Sequence, residues 1–244
     1  TDMSWSRVNH PSEVVRIADP VSLDYDPMAL VLEYERRRRY PILFFERPGS
    51  SDIPVICNVL ASRAALAFAL GVRPEALAQE YARRLKEPIK PVVVAAPPFH
   101  ARTLRGPELD LGRLPAPLYF PGDAGRYLVG GLSQQPLAVA PCTSVDLHAP
   151  AGAEIVIEGE ILPGTREPEG PFGEFTGYFS RRSTEHVFVA KAISMRERPW
   201  FQSIGSGRAG DHITTLGLIR EAEIWNAVSR VVPNVTGVHV PLSG

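Results

Sequence analysis

Prolines set the scale of what this chain can build. There are 24 of them in 244 residues, about twice the ordinary share. Each fixes φ and lacks a backbone N–H, which bars it from helix interiors and from the middle of a sheet. Spread along the chain, they cut it into short elements joined by many loops. Glycine adds 20 more turn-formers, yet the two together stay below the share that marks disorder. Apolar residues at 44% and charged ones at 22% are ordinary for a packed globule. At this length the chain forms one large domain or two modest ones.

Basic residues number 26 and acidic ones 27, a net charge of −1. Nucleic-acid and membrane-surface proteins normally carry a basic excess, so neither partner is expected. The longest apolar run, Ala64 to Val72, falls far short of the ~20 residues that cross a bilayer. No charged-then-apolar leader opens the sequence. The only cysteines, Cys57 and Cys142, lack the spacing of a zinc site or disulfide framework, and a cytoplasmic location is expected. The chain opens without Met and stops at Pro241-Leu-Ser-Gly244. Both ends read as trimmed edges.

The first third alternates helix and strand patterns. Asp26-Pro27 opens a helix to about Arg39, and Tyr40-Pro41 ends it. Ile42 to Phe45 and Ile53 to Ile56 read as strands across a turn. Ser62 to Leu70 reads as a helix closed by Gly71, and Pro74 opens another with Leu77, Tyr81 and Leu85 on one face. Val92 to Ala95 reads as a short buried strand. From Pro107 the helical period disappears and a proline-rich connector follows. Beyond it, Leu137 to Val145, Ala153 to Leu162, Val187 to Met195 and Trp200 to Ile204 read as strands. In the second of these, Glu154, Glu158 and Glu160 are expected on a wet face. A helix from about His212 to Val232, with Leu216, Ile219, Trp225, Val228 and Val232 as its apolar stripe, should pack on that sheet. The expected fold class is α+β. An N-terminal α/β domain over residues 1–106 precedes a mainly β domain over 107–244.

Arg36-Arg37-Arg38-Arg39 reads as a basic helix end that complements the macrodipole, in preference to a phosphate grip. None of the six histidines has the spacing of ligands on one helix face. Gly205-Ser-Gly-Arg-Ala-Gly210 fits GxGxxG by letters, and its amides are a candidate anion site at a helix N-terminus. The ribose-binding acid of a dinucleotide fold is not evident.

Thr165 to Ser180 is turn-rich and acidic. Glu169 and Glu174 are five apart, so neither a helix nor a strand would place them together. A loop bent by Gly170, Pro171 and Gly173 can aim both into one site, shielded by Phe172, Phe175 and Tyr178. Two carboxylates so placed oppose each other's ionisation and leave one protonated near neutrality, as a general acid requires. The other reading of the same residues is a solvated β-turn whose glutamates have no role.

Glu169-Gly-Pro-Phe-Gly-Glu-Phe-Thr-Gly-Tyr-Phe-Ser180 resembles the signature of the UbiD family, non-oxidative decarboxylases that depend on prenylated FMN. Ile53-Pro-Val-Ile-Cys-Asn58, Pro121-Gly-Asp-Ala-Gly-Arg-Tyr127, and Cys142-Thr-Ser-Val-Asp-Leu147 with Ala153-Glu-Ile-Val-Ile-Glu-Gly-Glu160 match in the same order. The resemblance implies that the second domain is a split β-barrel like that of flavin reductases. It implies that Glu174 donates the proton to the decarboxylated carbon and that Glu169 is its partner in positioning the substrate carboxylate. It also implies a divalent metal, Mn2+ or Mg2+, with K+ as a further ion, and a flavin prenyltransferase that supplies the cofactor. A homo-oligomer is expected. Family members are longer than this chain. The central segment that carries the catalytic arginine and the metal ligands, and the C-terminal domain, have no match here, so no metal or cofactor ligand is assigned.

The function expected on these grounds is reversible decarboxylation of an aromatic or α,β-unsaturated carboxylic acid. A non-catalytic subunit and a flavin-binding module are the two alternatives.

Overall fold

A computed structural model describes residues 13–111, 128–173, 178–205 and 209–241 in full, and the backbone of 123–127. Among these residues the fold is mixed α and β, with three sheets and no sheet closed into a barrel. Among the described residues, no helix is long and apolar enough to cross a membrane.

The first sheet has the order β1-β2-β3-β10. Its strands are β1 (Val14–Ile17), β2 (Ile42–Phe45), β3 (Val55–Cys57) and β10 (Phe201–Ser203). Strand β2 runs antiparallel to β3, and β10 runs parallel to β3 with Phe201 opposite Val55. The run of apolar residues in β2 is buried on both faces. Leu43, Phe45, Val55 and Cys57 pack with Val31 of helix α1 (Asp26–Arg36), while Ile42, Phe44 and Ile56 meet Trp200 on the other side. Helix α1 stops short of the expected Arg39 because Arg38 takes φ +55°. Its arginines are paired locally. Arg36 and Arg37 bind Glu33, and Arg39 binds Glu13 and lies over Tyr34.

Helix α2 (Arg63–Leu70) has the expected ends: the Ser62 hydroxyl accepts the Ala65 N–H, and Gly71 takes φ +65°. Pro74 opens a 3-10 turn that runs into α3 (Leu77–Arg84). Strand β4 (Val92–Val93) is shorter than expected and exposed, and it pairs with β6 (Ala138–Pro141), which pairs with β7 (His148–Pro150). Part of the stretch expected to be a connector is helical: α4 spans Asp123–Ser133. A Cβ on Gly130 would lie 2.7 Å from the Ile89 carbonyl oxygen, and one on Gly131 equally close to those of Arg84 and Glu87. Gly130 and Gly131, lacking a Cβ, are what let α4 approach this backbone.

The third sheet is β5-β9-β8, from β5 (Arg102–Arg105), β8 (Ile155–Glu169) and β9 (Ser183–Met195). Helix α5 (Gly210–Val228) does not pack on it as expected. Its Leu218 joins Leu66, Ala67, Leu77 and Ala78 of α2 and α3. The buried face runs through Asp211, Leu218, Glu221 and Ala222, while Leu216 and Ile219 of the expected stripe are exposed.

Candidate active site

Glu169 is the last residue of β8, paired with Ser183 of β9, and it is exposed. The expected loop is therefore shorter than Thr165 to Ser180, because Thr165 to Glu169 are strand. The ladder that leads to it is irregular. Ile161 lies opposite Phe188 but Arg166 opposite His186, so four residues of β8 bulge against one of β9. Gly164 sits in that bulge at φ +74°. Such a bulge re-aims whatever follows it. Gly170 takes φ +78°, which a residue with a side chain resists.

The tip is tied together beyond Glu169. The Ser180 N–H donates to the Phe172 carbonyl at 2.8 Å, and the Phe172 N–H donates to the Ser180 hydroxyl at 3.0 Å. Gly173 then bridges Phe179. Phe172, Tyr178 and Phe179 are exposed around this tip. Glu174 and Phe175 lie outside the described residues.

A second carboxylate differs from its expected place. Glu158, expected on a wet face, is 2% exposed, because the turn at Thr143 and Ser144 covers it. It accepts the N–H and hydroxyl of both Thr143 and Ser144. Burial alone pushes this carboxyl up, and the hydrogen bonds outweigh it, so the net shift is downward. Glu158 thus pins the Cys142–Leu147 turn to β8. Alternation in the sequence gives no signal for this, since the covering turn lies 14–15 residues away along the chain.

The glycine-rich segment before α5 does not present a free helix N-terminus. Glu35 accepts the Gly210 N–H, and Asp211 accepts the Asn58 N–H at 3.1 Å. Burial raises both carboxyls. Two of the chain's own acids occupy the place where an anion was considered, and residues 206–208 of the loop lie outside the described residues. Cys57, beside this pair, is pushed up to about 12 by burial and by the Asp211 charge, which makes it a poor nucleophile.

Comparison with known families settles the relationship. Residues 6–85 match the 3-octaprenyl-4-hydroxybenzoate carboxy-lyase N-terminal domain, and residues 128–209 match the Rift-related domain of the same carboxy-lyase. The chain belongs to the UbiD family. Solved UbiD-class structures share the fold. An evolved dimeric form of HmfF from Pelotomaculum thermopropionicum, in complex with prFMN, aligns at a TM-score of 0.84 and 23% identity, over 95% of this chain and 73% of that one. Apo 3,4-dihydroxybenzoic acid decarboxylase (AroY) from Klebsiella pneumoniae aligns at 0.85 and 23%, over 97% and 71%. Vanillic acid decarboxylase (ShVdcCD) from Sedimentibacter hydroxybenzoicus, in open form, aligns at 0.83 and 19%, over 95% and 69%. The UbiD family is one of carboxy-lyases, and the turn between β8 and β9 lies inside its matched Rift-related region.

The UbiD resemblance implies a divalent metal. Among the described residues, no three His, Cys, Asp or Glu side chains converge in a group that could hold a metal ion. The acids named above are already engaged: Glu158 by Thr143 and Ser144, Asp211 by Asn58, Glu35 by Gly210. These residues do not fit a divalent metal, and no chemical step is assigned to one.

Proposed function

We propose that this UbiD-family chain carries out non-oxidative, reversible decarboxylation of an aromatic or α,β-unsaturated carboxylic acid, with prenylated FMN as cofactor. The observation that carries the reading is the position of Glu169. It ends β8 at a tip tied by Phe172 and Ser180, inside the region matched to a carboxy-lyase. On this reading residues 1–106 are the N-terminal α/β domain. Residues 107–244 belong to a split β-barrel domain, which includes strands β8 and β9. The flavin is made available by a prenyltransferase and, when bound, offers an electron sink. Mn2+ or Mg2+ and K+ stay with the family resemblance, without ligands assigned here.

The protein's own part is proton transfer. The bond between the substrate carbon and its carboxylate breaks, carbon dioxide leaves, and the electron pair stays on that carbon. Glu174 in its protonated form gives the carbon a proton and becomes a carboxylate, which solvent reprotonates. Glu169 orients the acid. Replacing Glu174 with Gln keeps the size and removes the proton, so turnover should drop by ~10²–10⁴-fold. Glu167→Gln, in the adjoining strand, should retain turnover. The assay is decarboxylation, or solvent-deuterium exchange into the product, on protein made with and without the prenyltransferase. Equal activity in the two variants would remove Glu174 from the mechanism. Bound flavin without turnover would favour the second reading, a flavin-binding UbiD-like subunit with an incomplete site.

A further inference from the structure

We infer that Ser180 is a positioning residue for the carboxylate-bearing turn; the inference rests on the role proposed for that turn. The register of the β8–β9 pair runs without slippage from Glu169 opposite Ser183 to Gly173 opposite Phe179. Between those pairs, Ser180 meets Phe172 twice, once through its backbone and once through its side chain. The backbone bond, Ser180 N–H to Phe172 carbonyl at 2.8 Å, is the ladder bond any residue would make. The second is specific to a hydroxyl: Ser180 Oγ accepts the Phe172 N–H at 3.0 Å. Without it that N–H faces water at an exposed tip, and the turn has one tie in place of two.

The local packing at Gly170 makes room for this contact. A Cβ on Gly170 would lie 3.3 Å from both Ser180 Oγ and the Arg181 carbonyl, so the glycine is what lets the hydroxyl in. Gly170 and Phe172 flank the turn's proline, and Glu169 precedes them directly. A hydroxyl that fixes Phe172 therefore fixes the backbone on which Glu169 ends. Ser180 acts through the backbone of residue 172.

The test compares Ser180→Ala and Ser180→Thr with the unaltered 244-residue chain. Alanine keeps the backbone bond and deletes the hydroxyl, and threonine restores it. Two readouts are taken: hydrogen–deuterium exchange of the Phe172 amide, and kcat and KM for decarboxylation. Ser180→Ala should speed exchange at Phe172 and lower kcat, each by about tenfold, the order expected for one lost hydrogen bond, with KM within twofold. Ser180→Thr should restore both. Unchanged exchange, or faster exchange with kcat intact, would overturn the inference and leave the proposed function standing. Absence of turnover in the unaltered, cofactor-loaded chain would instead fell the proposed function, and the positioning role with it. Glu174→Gln separates the two further, since it should lower turnover by ~10²–10⁴-fold and leave Phe172 exchange unchanged.

Discussion

Asp211 shows how one residue can set a pH dependence. It is buried, its Oδ1 has no hydrogen-bond partner among the described residues, and the Oδ1 of buried Asn58 is in the same condition. Burial raises its carboxyl, against the hydrogen bonds it accepts. A carboxyl raised on folding contributes stability that is complete below its ordinary value of 3.8 and is lost as pH rises through the folded value. Asp211→Asn removes the buried charge, keeps an acceptor for the Asn58 N–H and adds a donor. We expect its melting temperature near neutrality to match or exceed that of the unaltered chain, with a flatter profile across the acid range. Thermal scans at several pH values decide it. Glu158 works in the opposite sense. Its carboxyl is lowered on folding, so its contribution is present above 4.5 and disappears as pH falls through the folded value. Glu158→Gln turns an amide toward N–H groups that need acceptors, and should cost about 3 kcal/mol in a urea titration. A cost within ordinary surface scatter would show that water replaces the carboxylate.

At the level of elements, glycine marks where backbones touch. Gly131→Ala would drive a Cβ to 2.7 Å from two carbonyl oxygens and push α4 off the end of α3. The bond from Arg84 Nη1 to the Leu132 carbonyl, now 2.7 Å, would be lost with it. Overpacking of this kind costs roughly 1–3 kcal/mol, whereas Gly237→Ala, with nothing within 4 Å, should be silent. Denaturant midpoints of the two variants test the contrast. The same glycines explain what could be read in advance. Helix α2 was legible because Ser62 and Gly71 signal its ends through local hydrogen bonding and a left-handed φ, which depend on neighbours in sequence. Helix α4 was not, because the approach that requires Gly130 and Gly131 involves residues 84–89, which sequence spacing does not reveal. The turn at Gly170 and Gly173 was legible from its composition. That Glu169 belongs to the strand was not, since the bulge at Leu162 to Thr165 breaks the period that would have announced it.

For the molecule as a whole, α5 is the point of convergence. Glu221, 1% exposed, accepts Arg63 from α2 at 2.5 Å, and His239 Nδ1 and the Val240 N–H from the segment beyond α5. Its outer side keeps Leu216, Ile219 and Ile224 exposed, apolar area that association would cover. We expect a dimer or larger at micromolar concentration, and a clean monomer in analytical ultracentrifugation would refute this. The parallel pairing of β10 with β3 bears on how the chain is made. Strand β3 has β2 on one side and waits for residues 201–203 on the other. A ribosome releases β1, β2 and β3 long before it has synthesised their last neighbour, and closing so long a loop is slow. Through most of translation, the nascent chain therefore displays an unpaired edge of Val55, Ile56 and Cys57, a template for contact with other nascent chains. Stalled chains ending before residue 200 should bind chaperones that chains extended past the exit tunnel by residue 203 no longer engage.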